Sequence, residues 1–304
     1  MMPQKGTSAG PFLALACISM VWGYNWVIMK ESLQYAGPME FNALRMILGS
    51  AVLLLFMLWK KESLRPELPG WTAALGILQT ALGTGLIVLA LETGGAGKTS
   101  ILVYTLPFWI LLLAWLVLDE RIRGVLWVPI LLAFCGLVFI LEPWNLQGTL
   151  KSKVLAVLAG FCWAAGVVLL KLMGRGREIN LIRTTAWQMI FGSLPLAGIA
   201  LIFPSGPVEW SPFFIGSILY NSILVCALAF VLWTYVIDRL PAGIAGLGTL
   251  AVPVIGMTTS RIHLHEDIGF WEGWGIVLIV TALTFLSLIR LREQRKVAIV
   301  PGPD

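Results

Sequence analysis

Two stretches decide the fold: AGKTSILVYTLPFWILLLAWLVLDE at 96–120 and AGIAGLGTLAVPVIGMTTSRIHLHE at 242–266. Each opens on Ala-Gly, runs through an apolar segment with a proline inside it, and ends on a glutamate. Each is long enough for a bilayer-crossing helix, which takes about 20 mostly apolar residues for about 30 Å of hydrocarbon. The register extends outward: Glu92, Ala96-Gly97, Pro107, Glu120 and Ile122 return as Asp238, Ala242-Gly243, Pro253, Glu266 and Ile268, all 146 positions later. Met46-Ile47-x-Gly49-Ser50 returns as Met189-Ile190-x-Gly192-Ser193 after 143, and Trp22 and Lys30 return as Trp163 and Lys171 after 141. A shift that grows in small steps and never shrinks is what loop insertions leave in a duplicated unit.

The rest of the 304-residue chain has the same character. It is 58% hydrophobic and 12% charged, with a mean hydropathy of +0.88, whereas soluble domains are roughly 45–50% apolar and about 25% charged. A soluble core of this length cannot hide so much apolar surface. That excludes a soluble enzyme, a nucleic-acid binder and a disordered tail. Ten spans fit, near 11–29, 39–59, 70–91, 97–118, 124–141, 151–173, 181–203, 212–236, 242–264 and 269–290. The apolar runs are continuous, not alternating, which excludes a β-barrel. Ala14-Leu15-Ala16 offers a nominal signal-cleavage site, but the apolar run continues past it, so the first span is read as uncleaved. Cys17, Cys135, Cys162 and Cys226 fall inside spans and read as reduced packing residues.

Basic residues set the orientation. With a cytoplasmic N-terminus, fifteen Lys and Arg lie inside (Lys5, Lys60, Lys61, Arg65, Arg121, Arg123, Lys171, Arg175, Arg177, Arg183, Arg239, Arg290, Arg292, Arg295, Lys296) and five outside (Lys30, Lys98, Lys151, Lys153, Arg261). Both termini are therefore expected inside. The duplication divides the chain into 1–145 and 146–304, five spans each. An odd number makes the second unit enter the membrane from the opposite side. The fold class is thus an all-α membrane protein: ten helices as two inverted five-helix repeats around a central cavity, an arrangement typical of secondary transporters.

Pro107 and Pro253 lie near mid-membrane at matching places. Proline inside a helix removes an N–H and kinks the chain, so both are read as cavity-lining hinges. Ser100, Tyr104 and Phe108 are spaced to stack on one side of the fourth helix, and Trp22 and Asn25 share a face of the first. Trp163 takes the repeat-related place in the sixth, while Gln79, Thr80 and Thr84 lie deep in the third helix and Tyr220 and Asn221 in the eighth. Polar groups are costly in lipid unless partnered, so these residues face inward, as interhelical glue or as a substrate pocket. For a pocket, Asn25 and Asn221 offer hydrogen bonds to a carboxylate or amine, and Trp22, Tyr104, Trp163 and Tyr220 offer faces to a ring or ammonium. No charged residue is placed at a span centre. Arg45 lies about 7.5 Å in from Glu40 at helical rise and is expected to snorkel to the interface. Absent intramembrane carboxylates argue for uncoupled movement of a substrate with little net charge.

Trp22-Gly23-x-Asn25 with Lys30 resembles the first-helix signature of the drug/metabolite transporter superfamily, EamA type. Ala96-Gly97-Lys98-Thr99-Ser100 through Pro107 to Asp119-Glu120-Arg121 is similar to its fourth-helix signature, and Ala242 through Pro253 to Leu264-His265-Glu266 repeats that grammar. The resemblance covers about 11–290. It implies ten helices around a central cavity in a bacterial inner membrane, and export or exchange of small metabolites, most like the exporters of aromatic amino acids. Arg261, His263 and His265 depart from the pattern, standing where apolar residues or glycine are usual.

Other signals carry less. Gly94-Gly95-Ala96-Gly97-Lys98-Thr99 ends like a P-loop but has Glu92 where the first glycine belongs. His263-x-His265-Glu266-Asp267 lacks the spacing of a metalloprotease zinc site, so no metal and no cofactor is expected. Gly269-x-x-x-Gly273 reads equally as helix packing or loop. The histidines lie at one rim and no aspartate is central, so intramembrane catalysis lacks its residues. The expected partners are a small-molecule substrate and the lipid bilayer, without nucleic acid, in a monomer or weak oligomer. Proton-coupled efflux and a non-transporting scaffold or lipid-handling subunit remain the alternatives.

Overall fold

The computed structural model describes residues 9–120, 124–141, 150–265 and 269–299. The expected boundary at 145, together with Lys5, Arg121, Ile122, Arg123, Glu266, Asp267 and Ile268, lies outside the described residues. Among the described residues ten long helices follow one another: α1 (Gly10–Ser32), α2 (Pro38–Trp59), α3 (Pro69–Thr93), α4 (Ala96–Leu118), α5 (Trp127–Leu141), α6 (Leu150–Met173), α7 (Leu181–Ile202), α8 (Pro212–Arg239), α9 (Ala242–Leu264) and α10 (Phe270–Ile299). By length and composition α1–α4 and α6–α9 suffice to cross a bilayer, and shorter apolar segments lie at 124–136, from the turn before α5 into that helix, and at 273–282 in α10. No strand occurs among the described residues. Helix starts follow local chemistry. Pro11, Pro38, Pro69 and Pro212 occupy first-turn positions, where the missing N–H costs nothing. Asn180 and Ser211 cap α7 and α8 by accepting from the amides of Arg183 and Phe214 at 2.9 and 3.1 Å.

The packing repeats when the halves are exchanged. α1 packs on α8 and α9, and α6 on α3 and α4; α2 packs on α7 and α8, and α7 on α2 and α3; α4 meets α9, and α5 meets α10. Local irregularities repeat too. α3 carries a π-helical stretch at Gly76–Thr84 and α8 one at Asn221–Leu228. α4 breaks at Tyr104–Thr105 and α9 at Thr249–Leu250, in each case just before the proline, and their last segments end on left-handed Asp119 (φ 57°) and His265 (φ 53°). The missing N–H of Pro107 leaves the Val103 carbonyl without its helical partner. Gly160 of α6 packs against that oxygen; an added Cβ would lie 2.5 Å from it.

Equivalent helices run in opposite directions. The C-terminal end of α1 places Lys30 Nζ on the carbonyls of Leu91 and Gly94, at 2.7 and 3.0 Å, beside the start of α4. The equivalent end of α6 places Lys171 within electrostatic reach of Glu120 and Asp238, beyond the far end of α4. The 23 residues of α4 separate the two ends by roughly 35 Å at helical rise. The bundle thus has a Lys30 face and a Lys171 face.

Close backbone approach holds the halves together where α3 crosses α7. A Cβ on Gly192 would lie 2.3 Å from Thr80 Cβ and 2.4 Å from the Gly76 carbonyl oxygen, whereas Gly198, further along the same helix, has nothing within 4 Å. Gly192→Val is expected to destabilise the purified protein by about 1–3 kcal/mol, and Gly198→Val to change little. Thermal unfolding in detergent measures both, and equal midpoints would show that this crossing tolerates separation.

Candidate functional site

A cavity of ≈ 60 Å³ lies between the halves, lined by Trp22, Asn25, Trp26, Met29, Arg45, Met46, Thr84, Ile87, Val103, Tyr104, Leu106, Trp163, Val225 and Phe230. That is room for a few water molecules, so the molecule is contracted around its centre. One wall is aromatic. Trp22 meets Trp163 edge-on at 5.4 Å between ring centroids and Phe230 at 5.9 Å, and Trp163 meets Phe230 at 5.3 Å. Trp233 backs the group at 5.9 Å from Trp22. The Trp22 indole N–H donates to the Val225 carbonyl at 3.4 Å, an oxygen in the π-helical stretch of α8.

The lining also includes polar groups. Arg45, expected at the interface, is instead 3% exposed and lines the cavity. Its Nε donates to Asn42 Oδ1 at 2.9 Å, and its Nη1 to Asn221 Oδ1 at 3.0 Å and to Met29 Sδ at 3.2 Å. Phe41 lies beneath, 5.4 Å from the guanidinium carbon to the ring centroid. The helix takes the side chain inward because Asn42, Met29 and Asn221 supply acceptors that lipid cannot. Asn42 Nδ2 in turn donates to Thr84 Oγ1 at 2.9 Å. The expectation of a hollow free of fixed charge is therefore corrected.

Among the residues singled out from sequence, Trp22, Asn25, Thr84, Tyr104 and Trp163 line this cavity; Gln79, Thr80, Ser100, Phe108, Tyr220 and Asn221 do not. Gln79 bridges helices, accepting from Gln188 Nε2 at 3.0 Å and donating to the Trp163 carbonyl at 3.4 Å. Thr80 packs at the α3–α7 crossing. Ser100 Oγ donates to its own helix at Gly97, Tyr220 OH to the Val21 carbonyl at 2.9 Å, and Asn221 anchors Arg45. Phe108 was expected to stack with Tyr104, but i→i+3 bonds from Thr105 to Leu102 and from Phe108 to Thr105 tighten the chain at the break. The turned helix sets Phe108 edge-on against Phe134 of α5 at 5.4 Å. Pro107 is buried at the start of the second segment of α4, and Pro253 holds the matching place in α9.

Sequence reasoning missed Arg45, Met29 and Phe230. A signal for Arg45 was present: it stands one residue before the repeated Met46-Ile47, where the second half has Gln188, also buried. Both are polar residues at one site of a repeated apolar span.

The two faces are closed differently. On the Lys171 face, Arg183 Nη1 meets Glu67 Oε1 at 2.6 Å, Asn180 donates to Glu67 and Glu62 at 3.0 Å each, and the Trp187 indole donates to the Leu64 carbonyl at 2.8 Å. Glu120 accepts from the amides of Ala242 and Gly243 at 3.3 and 3.5 Å, at the start of α9. On the Lys30 face a wider recess of ≈ 530 Å³ is lined by Lys30, Tyr35, Glu92, Ser205 and Glu209 among others. Three of the four cysteines, Cys17, Cys135 and Cys162, are at least partly exposed, Cys226 is buried, and all are free. His263 packs edge-on against Tyr24 at 5.5 Å.

A bundle of opposed five-helix halves around a buried aromatic and polar centre defines a polytopic membrane carrier. The EamA-like transporter family model matches the chain twice, over residues 10–142 and 150–288, and the chain belongs to that family. It is 28% identical over 262 residues to the uncharacterized transporter YoaV of Bacillus subtilis, covering 84% of this chain and 89% of the relative. It is 24% identical over 307 residues to a protein of Escherichia coli named "Probable amino-acid metabolite efflux pump", covering 94% and 97%, and 25% identical over 304 residues to its namesake in Salmonella typhimurium, covering 93% and 96%. A solved crystal structure shares the fold with a TM-score of 0.75 and 18% identity, over 94% of this chain and 99% of that one. The protein is a multi-pass transporter.

Glu67→Ala removes the carboxylate that orders both Arg183 and the Asn180 amide. Tryptic cleavage after Arg175 and Arg177, in the loop before α7, is expected to accelerate several-fold in the detergent-solubilised variant. An unchanged cleavage rate would show that these bonds do not hold the face shut.

Proposed function

We propose that the protein exports or exchanges small metabolites of little net charge, amino acids including aromatic ones, by alternating access without ion coupling. The observation that carries the reading is the cavity itself: it lies between the halves and joins an aromatic wall to hydrogen-bonding groups. The names of the Escherichia coli and Salmonella typhimurium relatives support the substrate class. The units 1–145 and 146–304 act as inverted partners. Pro107 and Pro253 act as the hinges about which the recess on the Lys30 face closes while the polar latch on the Lys171 face opens. The Lys30 face is external and both termini are cytoplasmic, a reading that the distribution of basic residues supports. The central cavity is lined by Arg45 and, among the described residues, by no carboxylate, so no acid at mid-membrane carries a proton, which supports the uncoupled reading. The functional unit is a monomer or a weak oligomer.

Counterflow in proteoliposomes tests this. Labelled phenylalanine should accumulate transiently when vesicles are preloaded with unlabelled phenylalanine, to the same extent with and without a pH gradient. Accumulation only under the gradient would establish proton coupling. Trp22→Ala and Trp163→Ala should each cut the rate at least fivefold while the protein still inserts, and unchanged rates in both would move the site elsewhere.

A further inference from the structure

A guanidinium carries five N–H donors. Three of those in Arg45 are engaged, by Asn42, Asn221 and Met29. Among the described residues no carboxylate pairs with it, and its Nη2 makes no hydrogen bond. A buried cation without an anion is strongly unfavourable, and neutral amides offset only part of that cost. The same cavity holds the opposite lack. Asn25 Oδ1 is buried and accepts no hydrogen bond, although Asn25 is 3% exposed and lines the cavity. Asn25 and Met29 are one turn apart on α1 and share a face, and Met29 Sδ touches the guanidinium, so the orphan acceptor and the unpaired cation border one space.

An unsatisfied cationic donor on α2 and an unsatisfied neutral acceptor on α1, both lining one cavity, complement a ligand that carries an anion and an ammonium on neighbouring atoms. We infer that Arg45 and Asn25 form a head-group site, in which Arg45 takes the carboxylate of an α-amino acid and Asn25 Oδ1 its ammonium. The Trp22, Trp163 and Phe230 wall receives the side chain. The inference rests on the transport reading above and deepens it: a zwitterion has no net charge, yet it supplies the anion that Arg45 lacks. It also sets a selectivity rule. Removing the carboxylate from the substrate leaves Arg45 unpaired in the loaded cavity, so the decarboxylated amine is rejected. The repeat-related place in the second half holds neutral Gln188, already bonded to Gln79, so the carboxylate has a single seat.

The test uses the full-length protein in proteoliposomes, with labelled phenylalanine counterflow competed by phenylalanine, 2-phenylethylamine or 3-phenylpropionate. In the unaltered protein, 2-phenylethylamine should need at least a tenfold higher concentration than phenylalanine for half-inhibition, and 3-phenylpropionate should fall between them. Arg45→Gln should raise half-saturation for phenylalanine at least tenfold and bring the phenylalanine-to-amine ratio close to one. A merely structural role for Arg45 would lower the rate and leave that ratio unchanged. Asn25→Leu should weaken phenylalanine and leave 3-phenylpropionate unaffected. Equal competition by phenylalanine and 2-phenylethylamine in the unaltered protein overturns the head-group site while leaving amino-acid transport standing, and it needs no variant to fold. Failure of every labelled zwitterion to enter overturns the transport reading, and the site with it.

Discussion

A positive charge taken out of water has to be met by acceptors on every side, and much of the centre of this molecule is arranged around that requirement at Arg45. On insertion scales an arginine at mid-helix costs roughly 2.5–3.5 kcal/mol, offset here by hydrogen bonds from both halves. Asn42 comes from its own helix, Met29 from α1, and Asn221 from α8 across the repeat boundary. Asn42 is itself tied to Thr84 of α3. Four helices are thus joined through one guanidinium, which lines the cavity together with Trp22 and Trp163.

The symmetric frame around this centre comes from duplication. Matching π-helical stretches in α3 and α8, matching breaks before Pro107 and Pro253, and matching left-handed ends at Asp119 and His265 show that irregularity was copied along with regular helix. Wide turns and breaks expose carbonyls, and at membrane depth such groups persist only where protein or a wet cavity meets them. Val225 meets Trp22, and Val103 meets the bare backbone at Gly160.

Much of this was legible in the sequence and part of it was not, for reasons that differ by residue. The spans follow from hydropathy alone, and the duplication from scarce residues such as Pro107 and Pro253 recurring in register. Trp22 and Trp163 could be paired because the repeat relates them. Facing directions were harder. Spacing places Phe108 above Tyr104 only if α4 is one continuous helix, and the break at Tyr104–Thr105 turns the second segment away. Tyr220 and Asn221 face inward as the cost of polar groups in lipid requires, but that cost does not distinguish a helix contact from a pocket: Tyr220 bonds the Val21 carbonyl and Asn221 bonds Arg45. Arg45 was misjudged on depth. Its distance from the end of α2 permits snorkelling, but the acceptors that draw it inward are contributed by residues 16 and 176 positions away, which no local pattern reveals.

The substitution of one cation for one neutral amide at equivalent places has a thermodynamic corollary. Were the halves chemically identical, swapping their conformations would yield two end states of equal free energy, and an empty carrier would spend equal time in each. Arg45 bonds Asn221 of the second half, whereas the repeat-related Gln188 bonds Gln79 of the first, so the halves are not identical at their centre. On the alternating-access reading proposed above, a carrier without cargo favours one vestibule, and this unequal pair of contacts is one source of that preference.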